Sequence, residues 1–443
     1  MDVRKNIKDL DSSELVRLLE AFKWLKLHNH DGTNNTTGGM YQKFVNWHAN
    51  DTAIALAKLN NYSLAVTDPF TATDTLTQMR IDGKNIVLPL PAPTLNNPSS
   101  IQINLNALVS HGDPASFAIF SASSAAANFQ LRCNNSPFLI ESVSLTVGGV
   151  SRTINFTKGP DLGDFELSIP NIAHGNPLFL PWHRVFIRFL ELDLQHADRQ
   201  RGNNGEIALP YWNWDSDRSE SWKLWSNDIL GPFTNEADGR ITSGYFRAKN
   251  AVPVGDWIIY EETGGVTSEA AHNYLKRHPI GNVSNMAPGN IVDTLITIND
   301  YDLPSYDTSN HFRTQLENIH GLVHVWVGGN TITGSPVGQM SAVNLSPNDP
   351  TFFLHHCNVD RIWSRWQREH RRSLQYPEFG LFPGHRKTDL MEPWKSLPVT
   401  DAYKMNVRAA DVLNWQNFDA VVHPKLGSGY KYDCESSITL STP

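Results

Sequence analysis

The chain has 443 residues, of which 40% are hydrophobic and 19% charged, as in a globular protein long enough for about two or three domains. A net charge of -8 without a cluster of Lys and Arg excludes an extended nucleic-acid-binding surface. No apolar run reaches the ~18 residues of a membrane span, and three widely spaced cysteines (Cys133, Cys357 and Cys434) exclude a disulfide framework.

The N-terminal segment predicts two helices. Asp11 or Ser12 can cap the first, whose apolar stripe consists of Leu15, Leu18, Leu19 and Phe22. The second, from Met40 to Leu59, places on one face Tyr41, Phe44, Val45 and His48. No apolar stretch follows the basic residues at the start, so we expect no secretory leader and, by default, a cytoplasmic protein.

Residues 67–170 have a different composition, with few charges and many Asn, Ser, Thr, Pro and Gly. Alternating apolar and polar residues predict strands at Ile101–Leu105, Leu139–Val147, Thr153–Phe156 and Phe165–Ile169. Gly148 and Gly149 lie between two of these strands, where a hairpin turn is expected. We therefore predict a β-rich insertion of unknown role.

Helical patterns return after the insertion. We expect helices from Trp182 to His196, after a stop at Pro181, and from Cys357 to Arg371. Between them, a helix over His311–Val327 is expected to end at the glycines that follow it.

Histidines recur near these helices in a pattern that suits metal binding. His320 and His324 are four residues apart, so on a helix both rings project from one face. His174 and His183 flank the start of another predicted helix, and His355 and His356 are adjacent. Histidine-only ligation suits copper or zinc, and copper has the highest affinity among divalent first-row ions.

Two other metal chemistries are alternatives to a histidine-only site. Zinc proteases use His-Glu-x-x-His, and here Gly-Leu-Val separates His320 from His324, so the general base is missing. A carboxylate-bridged di-iron site needs Glu-x-x-His on two helices, and Glu317 with His320 and Glu269 with His272 fit that spacing. The di-iron alternative leaves the other histidines without a role.

Two long segments decide between these chemistries by resemblance. Phe179–Arg184 (FLPWHR), followed by Leu209–Asp215 (LPYWNWD), resembles the first copper-binding region of tyrosinases and catechol oxidases. His320–Gly329 (HGLVHVWVGG) and Asn348–Arg361 (NDPTFFLHHCNVDR) resemble the second. The resemblance also extends to the two ends, Val3–Ile7 and Gly429–Asp433.

The resemblance implies a mainly α protein in which an antiparallel four-helix bundle holds a dicopper centre. The catalytic domain would comprise residues 1–66 and 171–443, with 67–170 inserted. The first copper is then expected on His48, His174 and His183, and the second on His320, His324 and His356. His355 would lie behind the ligands, and Asp360 is expected to accept the N–H of a ligand imidazole.

The implied activity is oxidation of small phenols to o-quinones, with two copper ions and O2 as co-substrate. In the family a Glu and an Asn hold a water that assists the monooxygenase reaction on monophenols; Glu317 matches the Glu, but Gly321 replaces the Asn. We therefore expect o-diphenol oxidation and leave monophenol hydroxylation open. Val343 matches a residue over the copper entrance, and Phe352 is expected to form a wall of the site.

Three further expectations follow from the resemblance. Ile172 stands where many relatives have a cysteine cross-linked to the second ligand of the first copper, so we expect no thioether at His174. The chain ends soon after Tyr432, so no lid domain is expected, and no proteolytic activation unless the β-rich insertion blocks the site. A helper protein for copper delivery is a further expected partner, whereas nucleic acid and membrane are not.

Two alternatives stay open beside the enzyme and the di-iron site. Molluscan hemocyanin units share both copper motifs, so an oxygen carrier is the main rival. The β-rich insertion is alternatively a module that binds a polymer or a partner.

Overall fold

The computed structural model describes residues 2–59, the strands between 62 and 155, and 173–435 with gaps at 219–222, 234–238, 250–255, 264–265, 272, 278–288, 303–310, 330–337, 371–375, 377–385 and 419–423. Its α-helices are α1 (Ser12–Leu27), α2 (Gly39–Leu59), α3 (Phe179–Gln200), α4 (Ile291–Ile296), α5 (Phe312–Gly328) and α6 (Thr351–Glu369). The prediction of a mainly α protein is confirmed. Among the described residues, no helix combines the length and the apolarity needed to cross a bilayer.

Helices α1 and α2 form where the sequence predicts them. Asp11 caps α1, since its side chain accepts the backbone N–H of Glu14 at 2.8 Å while the Glu14 carboxylate accepts the N–H of Asp11. Buried residues lie at the predicted helical spacing along both helices: Leu15, Leu18, Leu19, Phe22, Tyr41, Phe44, Val45 and His48. The two helices therefore bury the faces that the sequence indicates.

Helices α3 and α6 begin earlier than predicted. Pro181 does not stop a helix but lies in the first turn of α3, where a missing N–H costs no helical hydrogen bond. Helix α6 begins at Thr351 instead of Cys357, because Asp349 accepts the Thr351 N–H at 3.0 Å and so supports the first turn. His355 and His356 consequently lie inside a helix.

Aromatic side chains join α2, α3, α5 and α6 into the core. Phe186 of α3 lies 5.4 Å from Phe44 of α2 and 5.7 Å from Phe353 of α6, measured between ring centroids. On the other side of α6, Trp366 stacks on Phe312 of α5 at 4.6 Å. These contacts place the four helices around one interior, which is where the histidines lie.

The segment between α2 and α3 contains two four-stranded antiparallel sheets. One sheet has the order β5-β2-β7-β6 and the other β4-β3-β8-β9, with strands β2 (Tyr62–Thr67), β3 (Leu76–Ile81), β4 (Lys84–Ile86), β5 (Ser99–Gln102), β6 (Phe120–Ser121), β7 (Asn128–Cys133), β8 (Ser142–Val147) and β9 (Val150–Asn155).

Three of the predicted strands overlap strands of these sheets, namely β5, β8 and β9, and Val147 pairs with Val150 across the predicted hairpin. The predicted strand Phe165–Ile169 lies outside the described residues. Strand β2 begins at Tyr62, before the predicted boundary at residue 67, and pairs with β5 and β7. The division into a catalytic domain and an insertion stays a prediction.

The two ends of the described chain meet. Strand β1 (Asp2–Arg4) pairs in parallel with β12 (Tyr430–Tyr432), and a separate hairpin joins β10 (Tyr260–Thr263) to β11 (Val266–Glu269). The side chain of Arg4 is fully buried beneath the terminal sheet. The chain ends therefore complete the core that surrounds the histidines.

Candidate metal centre

Two groups of histidines lie at the centre of the helices. In each group the ring nitrogens that face one another lie within 4.8 Å, as metal ligands do; the groups are His48, His174 and His183, and His320, His324, His355 and His356. The structure thus brings together all six histidines that the sequence predicts as ligands. Among the described residues, no carboxylate belongs to either group.

Each ligand position follows from its element. His48 lies on the buried face of α2, and His183 is in the second turn of α3. His320 and His324 are one turn apart on α5, so their rings lie 4.5 Å apart between centroids. His174 differs from the others because it lies in an irregular segment, residues 173–178, just before α3.

The two groups face each other. The rings of His183 and His356 are stacked with centroids 4.1 Å apart, and those of His174 and His320 are 6.0 Å apart. No helix or strand separates the groups in these contacts. Two metal ions held by them would therefore be neighbours.

Main-chain carbonyls orient three of the rings. His183 donates its Nδ1–H to the carbonyl of Phe179 at 2.8 Å, and His320 donates to that of Glu317 at 2.9 Å. His324 donates to the carbonyl of Met340 at 2.8 Å. A proton on Nδ1 leaves a lone pair on Nε2, which is the atom that turns toward the centre.

The Nε2 atoms fit copper as ligands. Those of His183 and His320 are buried without a hydrogen-bond partner in the described part of the chain, and an orphaned buried acceptor is costly. The Nε2 atoms of His324 and His356 lie 3.4 Å apart. Acceptor nitrogens directed at a shared space are what a bound cation would satisfy, and imidazole is a preferred ligand of copper.

Burial keeps these imidazoles neutral, which is the form that binds metal. It lowers the pKa of His48 to about 3 and that of His324 to about 4. The pKa values of His174, His183 and His356 are likewise held well below their usual range, first by burial and then by neighbouring histidines. Protons therefore do not compete with copper for this site at neutral pH.

His355 is the extra histidine of the second group. Its ring stacks on His320, with centroids 5.1 Å apart and planes 8° apart, and does not contact the first group in the described structure. The ring of His356 stacks on His183 across the centre, so it is His356 that faces both groups.

Two phenylalanines separate the rings from the rest of the core. Phe352, predicted as a wall, is fully buried, 4.1 Å from His356 and 5.1 Å from His48. Phe179, to which no role was assigned, lies 4.9 Å from both His183 and His320. A sequence signal for Phe179 exists, because both phenylalanines precede a ligand histidine by four residues, one helical turn.

Val343 and Gly321 differ from the two phenylalanines in their surroundings. Val343 is 50% exposed, and its main chain raises the pKa of the nearby His48 against the larger effect of burial, so its side chain lies at the surface beside the first group. Gly321 follows His320 on α5, and a Cβ atom added there would meet no heavy atom within 4 Å. The space for a larger side chain is thus present.

Glu317 is held on both of its oxygens. Oε2 accepts a hydrogen bond from Arg313 at 2.6 Å, and Oε1 accepts the backbone N–H of Gly175 at 2.6 Å. Its side chain is 13% exposed, and burial raises the pKa of the carboxyl while Arg313 lowers it.

The expected role of Asp360 is wrong. Its carboxylate accepts hydrogen bonds from Arg184 at 2.6 Å, from Arg4 at 3.2 Å and from the hydroxyls of Tyr430 and Tyr432. One turn along α6 from His356, it points toward the terminal sheet. Main-chain carbonyls orient three of the ligand rings instead, those of His183, His320 and His324.

The di-iron alternative is also wrong. Glu269 is the last residue of strand β11, exposed and hydrogen-bonded to Lys249 and Asn273, so its Glu-x-x-His motif is not on a helix. His272 lies outside the described residues. The other motif contributes only His320 to the histidine groups.

Comparison with known proteins agrees with this geometry. A family model described as the common central domain of tyrosinase matches residues 148–369, half of the chain. A tyrosinase from Streptomyces lincolnensis is 38% identical over 229 residues, which cover 50% of this chain and 74% of that protein. Grixazone synthase from Streptomyces griseus is 30% identical over 223 residues, 45% of this chain and 68% of that protein.

Among solved structures, a functional unit of Octopus hemocyanin aligns over 98% of this chain and 68% of its own, with 16% identity and a TM-score of 0.42.

Proposed function

Because this chain belongs to the tyrosinase family, whose members are oxidoreductases with two copper ions and O2, we propose that it oxidises small o-diphenols to o-quinones. The observation that carries the proposal is the pair of facing histidine groups, with His183 stacked on His356 across the centre. Two copper ions held by such facing groups would supply the redox chemistry that a small diphenol and oxygen require.

The proposed ligands are three histidines for each copper. His48, His174 and His183 would hold the first ion. For the second, we select His320, His324 and His356 over His355, since the Nε2 atom of His356 lies next to that of His324 and its ring faces the other group. His355 would support His320 by stacking on it.

Held by these histidines, a copper pair would supply the redox chemistry through which the electrons of the diphenol pass to oxygen. Two molecules of o-diphenol lose four electrons and four protons in all and become o-quinones, while one O2 takes these up as two waters. The chain contributes the geometry: carbonyls of Phe179, Glu317 and Met340 hold rings in place. Phe179 and Phe352 exclude water from behind the rings.

Monophenol hydroxylation is proposed to be slow. The water-holding pair of the family lacks its Asn, because Gly321 has no side chain. Its Glu counterpart, Glu317, already accepts hydrogen bonds from Arg313 and Gly175. A water that removes the phenol proton would have one weakly available acceptor instead of two well-placed groups.

The proposal is tested by copper analysis and oxygen uptake on one preparation. We expect two coppers per chain, rapid oxygen uptake with catechol, and much slower uptake with tyramine. The variants His183→Ala and His324→Ala should each lose one copper and all catechol turnover, whereas His311→Ala, remote from both histidine groups, should lose neither.

Three results would contradict the proposal. Iron in place of copper would eliminate it. Reversible oxygen binding without quinone formation would make the protein a carrier. Equal rates with tyramine and catechol would show that Gly321 does not limit hydroxylation.

A further inference from the structure

His174 is the ligand with the least local support. It lies in the irregular segment 173–178, whereas the other proposed ligands lie on helices. A ring on such a backbone keeps its position only if other parts of the structure hold the segment. The hydrogen bonds of this segment therefore determine the geometry of the first copper site.

Three sets of hydrogen bonds fix the segment, one within it and two that tether it to other parts of the chain. Asn176 donates its side-chain N–H to the carbonyl of His174 at 2.8 Å and accepts the N–H of Leu178. Tyr301 donates its hydroxyl to the carbonyl of Pro177 at 2.7 Å. The second tether reaches the residue next to the ligand, where Glu317 accepts the N–H of Gly175 at 2.6 Å.

The Glu317 tether is itself anchored. Arg313, one turn earlier on α5, donates to Glu317 at 2.6 Å and to Asp302 at 2.7 Å. The side chains of Arg313 and Asp302 are 3% and 0% exposed, so these ion pairs are shielded from solvent. Asp302, Arg313, Glu317 and Gly175 thus form a continuous chain of charge-assisted hydrogen bonds, which we call the clamp.

We propose that Glu317 is a positioning residue for the first copper: through the clamp, helix α5, which carries ligands of the second copper, holds the segment that carries His174. The proposal rests on the proposed dicopper function and assigns Glu317 to the opposite ion from the one it neighbours in sequence. It makes occupancy of the first site depend on a carboxylate three residues before His320.

The clamp and a water-holding role make different predictions. A carboxylate that only holds a water affects the reaction with monophenols and leaves copper binding intact. A carboxylate that holds Gly175 affects the affinity for the first copper. It changes diphenol and monophenol oxidation in the same proportion, because both need both ions.

The test uses the full chain loaded with limiting copper. Glu317→Gln keeps the shape, but its single oxygen cannot replace both carboxylate oxygens, so either Arg313 or Gly175 loses its acceptor. Asp302→Asn weakens the far end of the clamp and leaves Glu317 in place. Asn318→Ala is the matched control, since Asn318 is the exposed neighbour of Glu317 on α5.

The readouts are copper per chain and electron paramagnetic resonance. Two exchange-coupled Cu(II) ions give no signal, whereas a Cu(II) ion whose neighbouring site is empty does. His174→Ala and His324→Ala supply reference spectra for a chain that keeps only the second or only the first ion.

We expect Glu317→Gln to bind the first copper about 10–100-fold more weakly, as is typical when a group behind a ligand is lost. Its spectrum should match that of His174→Ala, and its tyramine-to-catechol rate ratio should equal that of the unmodified protein. Asp302→Asn should show the same spectrum to a smaller extent. Asn318→Ala should show neither the weaker binding of the first copper nor the altered spectrum.

The clamp is refuted if Glu317→Gln or Asp302→Asn keeps both ions at limiting copper, or if either spectrum matches that of His324→Ala. Should Glu317→Gln fail to fold, Asp302→Asn decides by the same readouts. An unmodified chain that does not bind two coppers refutes the proposed function itself, which is a different result from loss of one ion in the variants.

Discussion

Replacing Arg4 with Met tests whether the buried ion pairs under the terminal sheet hold the catalytic core together. Arg4 donates two hydrogen bonds to Glu191, at 3.0 and 2.8 Å, one to Asp360 at 3.2 Å and one to Tyr432 at 3.1 Å. Its guanidinium carbon also lies 3.4 Å from the ring centroid of Tyr430. Met keeps much of the volume and removes the charge.

Two estimates bear on the cost of removing the Arg4 charge. Removing one partner of a buried ion pair costs about 3–5 kcal/mol, because the other charge is left buried. Burial raises the pKa of the Glu191 carboxyl, but Arg4 and Arg188 lower it to about 2, and the difference from 4.5 corresponds to about 3 kcal/mol shared between the two arginines. The share of Arg4 in the Glu191 pair is therefore smaller than the full cost, which also includes its lost bonds to Asp360 and Tyr432. For 443 residues, a loss of about 3–5 kcal/mol lowers Tm by about 3–5 °C.

The assay is thermal unfolding followed by tryptophan fluorescence. All 13 tryptophans lie outside residues 60–172, so the signal reports the helical part alone. The control is Arg201→Met, whose ion pair with Glu20 at 3.2 Å is 37% and 29% exposed and should contribute below about 1 kcal/mol.

The pH dependence gives a second check. Since the pKa of Glu191 is lowered on folding, its contribution is present above about pH 4.5 and is lost as the pH falls toward 2. Arg4→Met should therefore lose less stability than the unmodified protein between pH 5 and pH 3. Equal Tm losses in Arg4→Met and Arg201→Met, or an unchanged pH dependence, would refute the reasoning.

Two further predictions concern the site. Gly321→Asn should raise the tyramine-to-catechol rate ratio in oxygen uptake. It should change stability by less than about 0.5 kcal/mol, because a Cβ atom at this position meets no heavy atom within 4 Å. An unchanged ratio would show that the missing Asn is not what limits hydroxylation. Val343→Phe should raise KM for 4-tert-butylcatechol more than for catechol with little change in kcat, because Val343 is half exposed beside His48. Val399→Phe, at an 87% exposed position, is its control, and equal KM changes for both diphenols would place Val343 away from the substrate's path.

Local sequence patterns predicted much of this protein because they act over a few residues. Helical spacing placed Tyr41 and His48 on one buried face, and the four-residue spacing of His320 and His324 placed both rings at the centre. The wrongly predicted starts of α3 and α6 also have local causes. Pro181 is compatible with a first helical turn, and the capping group of α6, Asp349, precedes its helix by two residues.

The copper motifs predicted which histidines come together, although His48 and His356 are more than 300 residues apart in the sequence. Motif resemblance carries such long-range information, whereas hydropathy does not. However, motif resemblance assigned residues to a copper site according to their neighbours in the sequence. Glu317 was placed with the second copper for that reason, and Asp360 was assigned to a ligand ring that it does not contact.

By itself, therefore, the sequence determined most of the long helices, the buried faces of α1 and α2, the histidine set and the family. Only the tertiary structure decided what holds those histidines, because the partners come from distant segments: the carbonyl of Met340 for His324, Glu317 for the segment of His174, and Arg4 for Glu191 and Asp360. A backbone carbonyl has the same chemistry at every residue, and an ion pair forms only where packing excludes water and brings both charges together. Neither can be read from a one-dimensional pattern.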